Sequence, residues 1–246
     1  IDVQSLIDYM LENIGNIDPS IRDSLIYSGF CRLILDEKVI IEQTERILTT
    51  CIDNQHLYLD IQQKEKSDAV FVRSFSALVI ALILFKDVEN RALPQALVAE
   101  AIGKSSNYLN LETDYRGYVE EKGWAHAVAH GSDLLAQAIS HPLFDEIGSI
   151  DRCLLTLKKC LITEYAYIDD EDERILAVID ALLTKGLTDE QLKAWLTSLH
   201  DFEEKDVLKN LRKQWNTKKF TLTLYAHLLR KNQCKETSNW IFSSVS

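Results

Sequence analysis

The sequence predicts an all-α protein of about twelve helices, arranged as a HEAT-like or armadillo-like superhelix. Three observations support this fold class. Apolar residues recur at helical spacing along most of the 246 residues, which indicates amphipathic helices. The chain contains only 8 glycines and 3 prolines, too few for a fold rich in turns. No stretch shows the alternation of apolar and polar residues that is typical of strands.

The first sixty residues predict three helices. Residues 2–14 carry apolar side chains at helical spacing. A second helix opens with Asp18 as N-cap and Pro19 at its first position, breaks near Gly29 and continues to Leu35. Residues 39–53 form the third.

A buried central helix is predicted for residues 69–85, because positions 79–85 are all apolar. The run is too short to cross a bilayer. Arg73 lies near its start and either extends to solvent or needs a carboxylate partner. The candidate partners are Asp114, Glu120 and Asp133.

Two short helices are expected next, over residues 94–103 and about 107–111, with Gly103 ending the first. Residues 114–122 then form a polar connection that contains Arg116. Loops held by rigid neighbours often carry binding groups. Asp114 and Arg116 are therefore candidate ligand-binding residues.

The helix predicted from Gly123 to about His141 differs from the others because its polar residues form one narrow stripe. At about 100° per residue, His126, His130, Asp133 and Gln137 share one face. The remaining faces are apolar, which is typical of a buried helix. The stripe is therefore expected to line a cavity or groove inside the protein.

His126, His130 and Asp133 could also bind a divalent metal from one side, since imidazole nitrogen and carboxylate oxygen are common ligands. The spacing is similar to that of zincin helices. Those helices have a glutamate after the first histidine, and position 127 here is alanine, so the usual general base is missing. A polar site without metal, and core polar groups bonded only to the protein, remain open as alternatives.

The C-terminal half continues the helical pattern. Helices are predicted over residues 150–167, 175–183, about 205–215 and 217–231, with a capping box from Thr188 to Gln191 before another. The acidic run 169–173 suits the first turn of a helix, where the dipole favours negative charge. The tail, residues 234–246, carries Trp240 and is expected to dock on the body.

Composition excludes several classes of partner. A net charge of −11 disfavours nucleic acid and anionic membranes. The locally basic span 205–235 is expected to be a solvated helix face. Five widely spaced cysteines without a Cys-x-x-Cys pair, and the lack of a signal-peptide pattern, indicate reduced thiols in a cytoplasmic protein. No phosphate-binding loop or nucleophile elbow occurs.

We expect residues 1–246 to form a single helical-repeat domain whose central motif spans residues 114–142. Paired helices of this size give close to six units of roughly 40 residues, the period of HEAT-like arrays. Such arrays curve and present a concave face. The stripe-bearing helix lies in the middle of the chain, where an inner helix would stand.

Residues 114–133 read DYRGYVEEKGWAHAVAHGSD and resemble the signature of a bacterial family known as domain-of-unknown-function family 2785. Further similar pieces are Arg-Ser-Phe-Ser at 73–76, His-Pro at 141–142 and the run 170–174. The resemblance covers most of the chain from about residue 70 to 230. It implies an all-helical, cytoplasmic bacterial protein and supplies no chemistry.

The leading functional hypothesis is a concave groove that binds a polar small molecule or a peptide. His126, His130 and Asp133 would form its floor, with charge supplied by Arg73, Asp114 and Arg116. One alternative is a hydrolase that uses a divalent metal on the His-His-Asp face. The other is a scaffold whose polar stripe only fixes packing. The sequence identifies neither the ligand nor the oligomeric state.

Overall fold

The computed structural model describes residues 2–63 and 65–245 and confirms the all-α class. Within these residues it contains twelve α-helices, one π-helical segment and two strands of two residues each. The helices of the first half are α1 (Val3–Glu12), a π-helix (Ser20–Tyr27) continuing into α2 (Ser28–Leu35), α3 (Ile41–Cys51), α4 (Ala69–Asn90) and α5 (Gln95–Leu111). Two strands follow, β1 (Tyr118–Val119) and β2 (Gly123–Trp124). The remaining helices are α6 (Ala127–Ser140), α7 (Phe144–Ile147), α8 (Ile150–Leu161), α9 (Glu171–Thr184), α10 (Asp189–Ser198), α11 (Val207–Lys231) and α12 (Lys235–Val245).

The long helices pack in two layers, and the chain alternates between the layers from α1 to α9. In the first layer, α2, α4, α6, α9 and α11 contact one another in that order. In the second layer, α1 contacts α3, α3 contacts α5 and α5 contacts α8. Contacts of α3 with α4, α5 with α6 and α8 with α11 join the layers, and α12 packs on α10 and α11.

Helix α6 lies at the centre of this arrangement, between α4 and α9 within its layer and against α5 of the other layer. Most of its residues are buried, as the apolar faces in the sequence predict. At Gly131 the two layers come close together. A Cβ atom there would lie 2.5 Å from Cδ2 of Leu109 and 2.8 Å from Cε1 of Tyr108, both on α5.

Helix α4 is longer than predicted and continues to Asn90, five residues past Phe85. Among the described helices it alone has the length and apolarity to cross a membrane, with a mean hydropathy of 2.0. However, 78% of that apolar window is buried inside the protein. Its apolarity is therefore that of a core helix.

Several predicted breaks are wrong. Gly103 lies inside the continuous helix α5, and its side-chain position has no neighbouring atom within 4 Å. A glycine in an exposed helix costs about 1 kcal/mol relative to alanine, which packing elsewhere can offset. Gly29 lies inside α2, and residues 205–215 and 217–231 merge into α11. The capping box at Thr188 is confirmed, with its hydroxyl accepting from the Gln191 amide.

We predict opposite effects on the free energy of unfolding for alanine substitutions at Gly131 and at Gly103. Gly131→Ala should lower the free energy of unfolding, because displacing Leu109 and Tyr108 costs about 1–3 kcal/mol and outweighs the gain in helix propensity. Gly103→Ala should raise it by up to about 1 kcal/mol. Urea denaturation measures both. Equal stabilisation by the two substitutions would show that α5 and α6 do not approach closely at Gly131.

Candidate functional site

A short hairpin replaces the predicted start of the central helix. Tyr118 pairs with Trp124 and Val119 with Gly123, in antiparallel register. Glu121 and Gly123 adopt positive φ angles of 63° and 76°, which close the three-residue connection. Helix α6 therefore begins at Ala127, not at Gly123. His126 is its N-cap, with a left-handed φ of 46°.

The buried Arg22 side chain joins the hairpin to the core of the protein. This side chain is fully buried and donates hydrogen bonds to the carbonyl oxygens of Asn16, at 2.8 Å, and Lys122, at 2.9 Å. Its guanidinium also lies over the rings of Phe71 and Phe75, 4.3 and 4.8 Å from their centroids. Arg22 was not among the residues predicted from the sequence, since nothing near it in the chain indicates a partner 100 residues away.

A second close approach fixes the other side of the hairpin. The Tyr118 amide donates to a carboxylate oxygen of Asp169 at 3.0 Å. A Cβ atom at the preceding Gly117 would lie 2.0 Å from that same oxygen. Only glycine leaves room for the carboxylate here. The loop before α9 is thereby joined to the loop before α6.

The hairpin and helix α6 together build a line of rings that runs from the surface to the core. The rings of Tyr118 and Trp124 meet edge-on with their centroids 4.9 Å apart. The ring of Trp124 stacks on that of His126 at a centroid distance of 4.3 Å. His126 meets His130 edge-on at 5.7 Å. His130 in turn meets Phe75 at 5.2 Å. Because Tyr118 and Trp124 are 55% and 40% exposed, the two histidines lie just beneath an exposed aromatic pair.

Burial lowers the pKa of both histidines. It is the largest cause of the lowered pKa of His126, and it places the pKa of the buried His130 well below the usual value of 6.5. The positive charges of Arg174 and Arg22 add to the effect at His130. Both rings are therefore mainly neutral at pH 7.

Each histidine has one buried ring nitrogen without a hydrogen-bond partner among the described residues. These atoms are Nε2 of His126 and Nδ1 of His130. Backbone groups of Asp169 and Ser74 act on the rings of His126 and His130 and partly offset the effect of burial on their pKa values. Each nitrogen of a neutral imidazole is either a donor or an acceptor, so each unpartnered nitrogen has one hydrogen bond to offer a ligand.

Asp133 does not join the histidines. Its carboxylate pairs with Arg174 of α9, whose Nε lies 2.9 Å from Oδ1 and whose Nη2 contacts Oδ2. In residues 2–63 and 65–245, no group of three or more histidine, cysteine or acidic side chains could hold a metal ion. The predicted metal site of His126, His130 and Asp133 is therefore not assembled, because an arginine occupies the carboxylate.

Asp133 and Gln137 instead line a groove of about 240 Å³ on the surface of the first layer. The groove is also lined by Tyr27, by Leu82 of α4 and by Ala177 of α9. Only Asp133 and Gln137 of the polar stripe line this groove, which lies at the surface and not inside the protein, and the two histidines lie outside its lining.

Arg73, Asp114 and Arg116 form a separate cluster. Arg73 is buried and donates two hydrogen bonds to Glu112, at 2.8 and 2.9 Å, so its partner is none of the three candidates expected from the sequence. Asp114 is paired with Arg116. Arg73 and Asp114 line a different pocket of about 230 Å³, together with Asp60. The six predicted site residues are therefore divided among three places.

The motif at residues 114–133 forms the hairpin and the first part of helix α6. A model of a protein family described as a protein of unknown function, DUF2785, matches residues 57–229. The chain belongs to this family. The match includes the hairpin, both histidines, Asp133 and Arg174, and it leaves out α1 to α3 and α12. No curated protein and no solved structure matches the chain significantly.

Membership in DUF2785 supports the resemblance seen in the sequence and adds no activity to it. The residues that the sequence analysis missed are Arg22, Glu112 and Arg174. Of these, Arg174 had a signal, since it ends the run 170–174 that is part of the family resemblance. Glu112 lies two residues before the motif and had none.

We predict that His130 makes the protein less stable at acid pH. Its folded-state pKa lies below the unfolded value of about 6.5, so only the unfolded chain takes up this proton as the pH falls below that value. The contribution of His130 is complete above pH 6.5 and declines below it, by up to about 1.4 kcal/mol per pH unit. Urea denaturation of the wild type and of His130→Phe should therefore show a shallower pH dependence for the variant.

The exposed His200 provides the control, because His200→Gln removes an imidazole that the fold does not bury. If His130→Phe folds poorly, His130→Gln removes the same titrating group with a polar side chain. Parallel pH profiles for the wild type and both His130 variants would contradict a neutral, buried His130.

Proposed function

We propose that the protein binds a polar ligand, either a small molecule or a peptide side chain, at the His126–His130 pair beneath the Tyr118–Trp124 hairpin. The observation that supports this most strongly is the pair of buried, unpartnered nitrogens one helical turn apart. A buried polar atom without a partner costs about 1–3 kcal/mol. Two such atoms side by side are typical of a place where function takes precedence over stability.

The chemistry of the pair favours a ligand with hydrogen-bonding groups. Each unpartnered nitrogen needs one partner, and hydroxyl and amino groups supply such partners. The negative charges of Asp169 and Asp170 act on His126 from the neighbouring loop. The exposed face of Trp124 offers a surface for a cation or a sugar ring. Amines and polyhydroxy compounds are therefore the classes of ligand that fit best.

The packing of the helices supports the wider proposal of a HEAT-like array with a ligand groove. Helices α4, α6 and α9 contact mainly their neighbours within the first layer, as helices do in helical repeats. The groove lined by Tyr27, Asp133 and Gln137 lies on α6, the helix that carries His130. A peptide ligand would have a path along it.

We also propose that the protein works in a reducing compartment such as the cytoplasm. All five cysteines are free thiols, and Cys51, Cys153 and Cys160 are buried, where a burial-raised pKa keeps them protonated.

The test is a thermal-shift screen of small amines, polyols and dipeptides at pH 7.5, with EDTA present, followed by calorimetric titration of the hits. We expect hits that carry amino or hydroxyl groups. Replacing one imidazole, as in His126→Phe or His130→Phe, should weaken their binding at least about tenfold, the effect of losing one hydrogen bond. His200→Gln should bind like the wild type.

Two outcomes would contradict this proposal. Hits that bind both histidine variants as tightly as the wild type would place the ligand elsewhere. Binding of Zn²⁺ that needs both histidines, measured in a separate titration without EDTA, together with no amine or polyol hit in the screen, would favour the metal-dependent alternative. The scaffold alternative gains support if no compound binds and His126→Leu with His130→Leu leaves stability unchanged.

A further inference from the structure

Helix α11 has an unusual charge for this chain. Its 25 residues include seven lysines and arginines and no acidic residue, while the whole chain has a net charge of −11. Several of these cations pair with acids of other elements, as Lys209 does with Glu164 and Lys219 with Asp172. Arg212 and Lys218 are exposed and form no ion pair within the described part of the chain, and Arg212 donates to the backbone carbonyl of Glu164.

A row of exposed apolar residues runs along the same helix. Leu208, Trp215, Leu222 and Leu229 are spaced seven residues apart, and Leu211 lies three residues after the first. All five are between 40% and 56% exposed. We call these five residues the α11 stripe. Their spacing is that of the seam along which two helices pack in a coiled coil.

Most of the α11 stripe faces away from the rest of the protein, although the Trp215 indole donates to the Tyr167 carbonyl at 3.2 Å. The edge of α11 that carries Lys219, Thr223, His227 and Lys231 bonds to Asp172 and Asp180 of α9. At about 100° per residue, the stripe lies roughly 120° from that edge and roughly opposite the buried residues of α11. A helix that is apolar on opposite faces is normally covered on both.

Within the described residues, α11 lies at the end of the first layer, with α9 on one side and α12 packed against it. Helices at the end of a helical array normally present a polar outer face. The α11 stripe is instead apolar over about 32 Å from Leu208 to Leu229, the length of a helix of about 21 residues.

We propose that the α11 stripe is the docking surface for an acidic amphipathic helix of a partner protein. The apolar side chains of the partner would pack on the stripe. Its carboxylates would meet Arg212 on one side and Lys218 on the other. Antiparallel or parallel pairing with a second copy of α11 would bring cations against cations, which is unfavourable.

The surface beside the α11 stripe favours a helix over a flat bilayer. A groove of about 760 Å³ lies on α11 next to the stripe, and its lining includes Lys205, Lys218 and Trp240 as well as Glu203 and Glu204, but no residue of the stripe itself. A rod-shaped ligand can lie beside such a groove, whereas a planar membrane contacts mainly a protruding surface.

The probe for this proposal is a synthetic peptide of about four heptads, with leucine at a and d and glutamate at e and g. Its glutamates repel one another and keep it monomeric at neutral pH. The matched control peptide has lysine in place of glutamate. Fluorescence anisotropy with the full chain at low salt should show at least tenfold tighter binding of the acidic peptide, weakening as salt rises.

Variants of the chain locate the contact. Leu211→Glu and Leu222→Glu replace exposed residues and should each weaken binding at least tenfold, with unchanged circular-dichroism melting curves. Leu155→Glu changes a leucine that is 69% exposed on α8 and should bind like the wild type. Lys218→Glu should remove part of the preference for the acidic peptide.

Four outcomes would overturn the proposal. They are the absence of binding, equal binding of acidic and basic peptides, acidic-peptide binding that Leu211→Glu and Leu222→Glu leave unchanged, and a preference for another occupant. Vesicles of phosphatidylserine and phosphatidylcholine test the bilayer, and sedimentation velocity tests a second copy. Vesicle binding or dimerisation that Leu211→Glu abolishes, without selective peptide binding, would assign the α11 stripe to that occupant.

Discussion

The enclosure of α6 by α4, α5 and α9 is the constraint on which the rest of the structure depends. A helix buried on three sides must satisfy each polar group within the protein or leave it unpaired at a cost. Most groups of α6 are satisfied, as Ser132 is by the Val128 carbonyl and Asp133 by Arg174. Only at the end of α6 nearest the hairpin do buried ring nitrogens lack partners. The proposed site therefore lies where packing leaves two buried ring nitrogens without hydrogen-bond partners.

Much of the architecture could be predicted because periodicity is a local property of the chain. The apolar faces of α4 and α6 and the capping box at Thr188 are visible in short windows, and the structure contains them. The predicted ends were less accurate. Gly103 was expected to end a helix, yet its cost of about 1 kcal/mol is small against the packing of Ala101 and Ser105 on either side. The hairpin was missed because strands of two residues are too short to show alternation.

The partners of the predicted site residues could not be obtained from the sequence. Periodicity places His130 and Asp133 on one face of α6, and both lie there. Whether a carboxylate on that face approaches a metal, a ligand or an arginine depends on α9, which lies about 40 residues away in the chain. The same holds for Arg73, whose partner Glu112 lies at the end of α5. Long-range pairing of charges requires the fold and cannot be derived from spacing alone.

The acidic run 169–173 shows how one segment connects the two surfaces. Its capping role was expected from the helix dipole, and Glu171 and Asp172 do stand in the first turn of α9. Asp169 also accepts from the hairpin at Tyr118, and Asp172 binds Lys219 and Thr223 of α11. Trp215 of the α11 stripe donates to the Tyr167 carbonyl, two residues before Asp169. The segment from Tyr167 to Asp172 is therefore bonded both to α11 and to the hairpin that lies over the two histidines. The α11 surface and the histidine pair are separate proposals that share this one bonded segment.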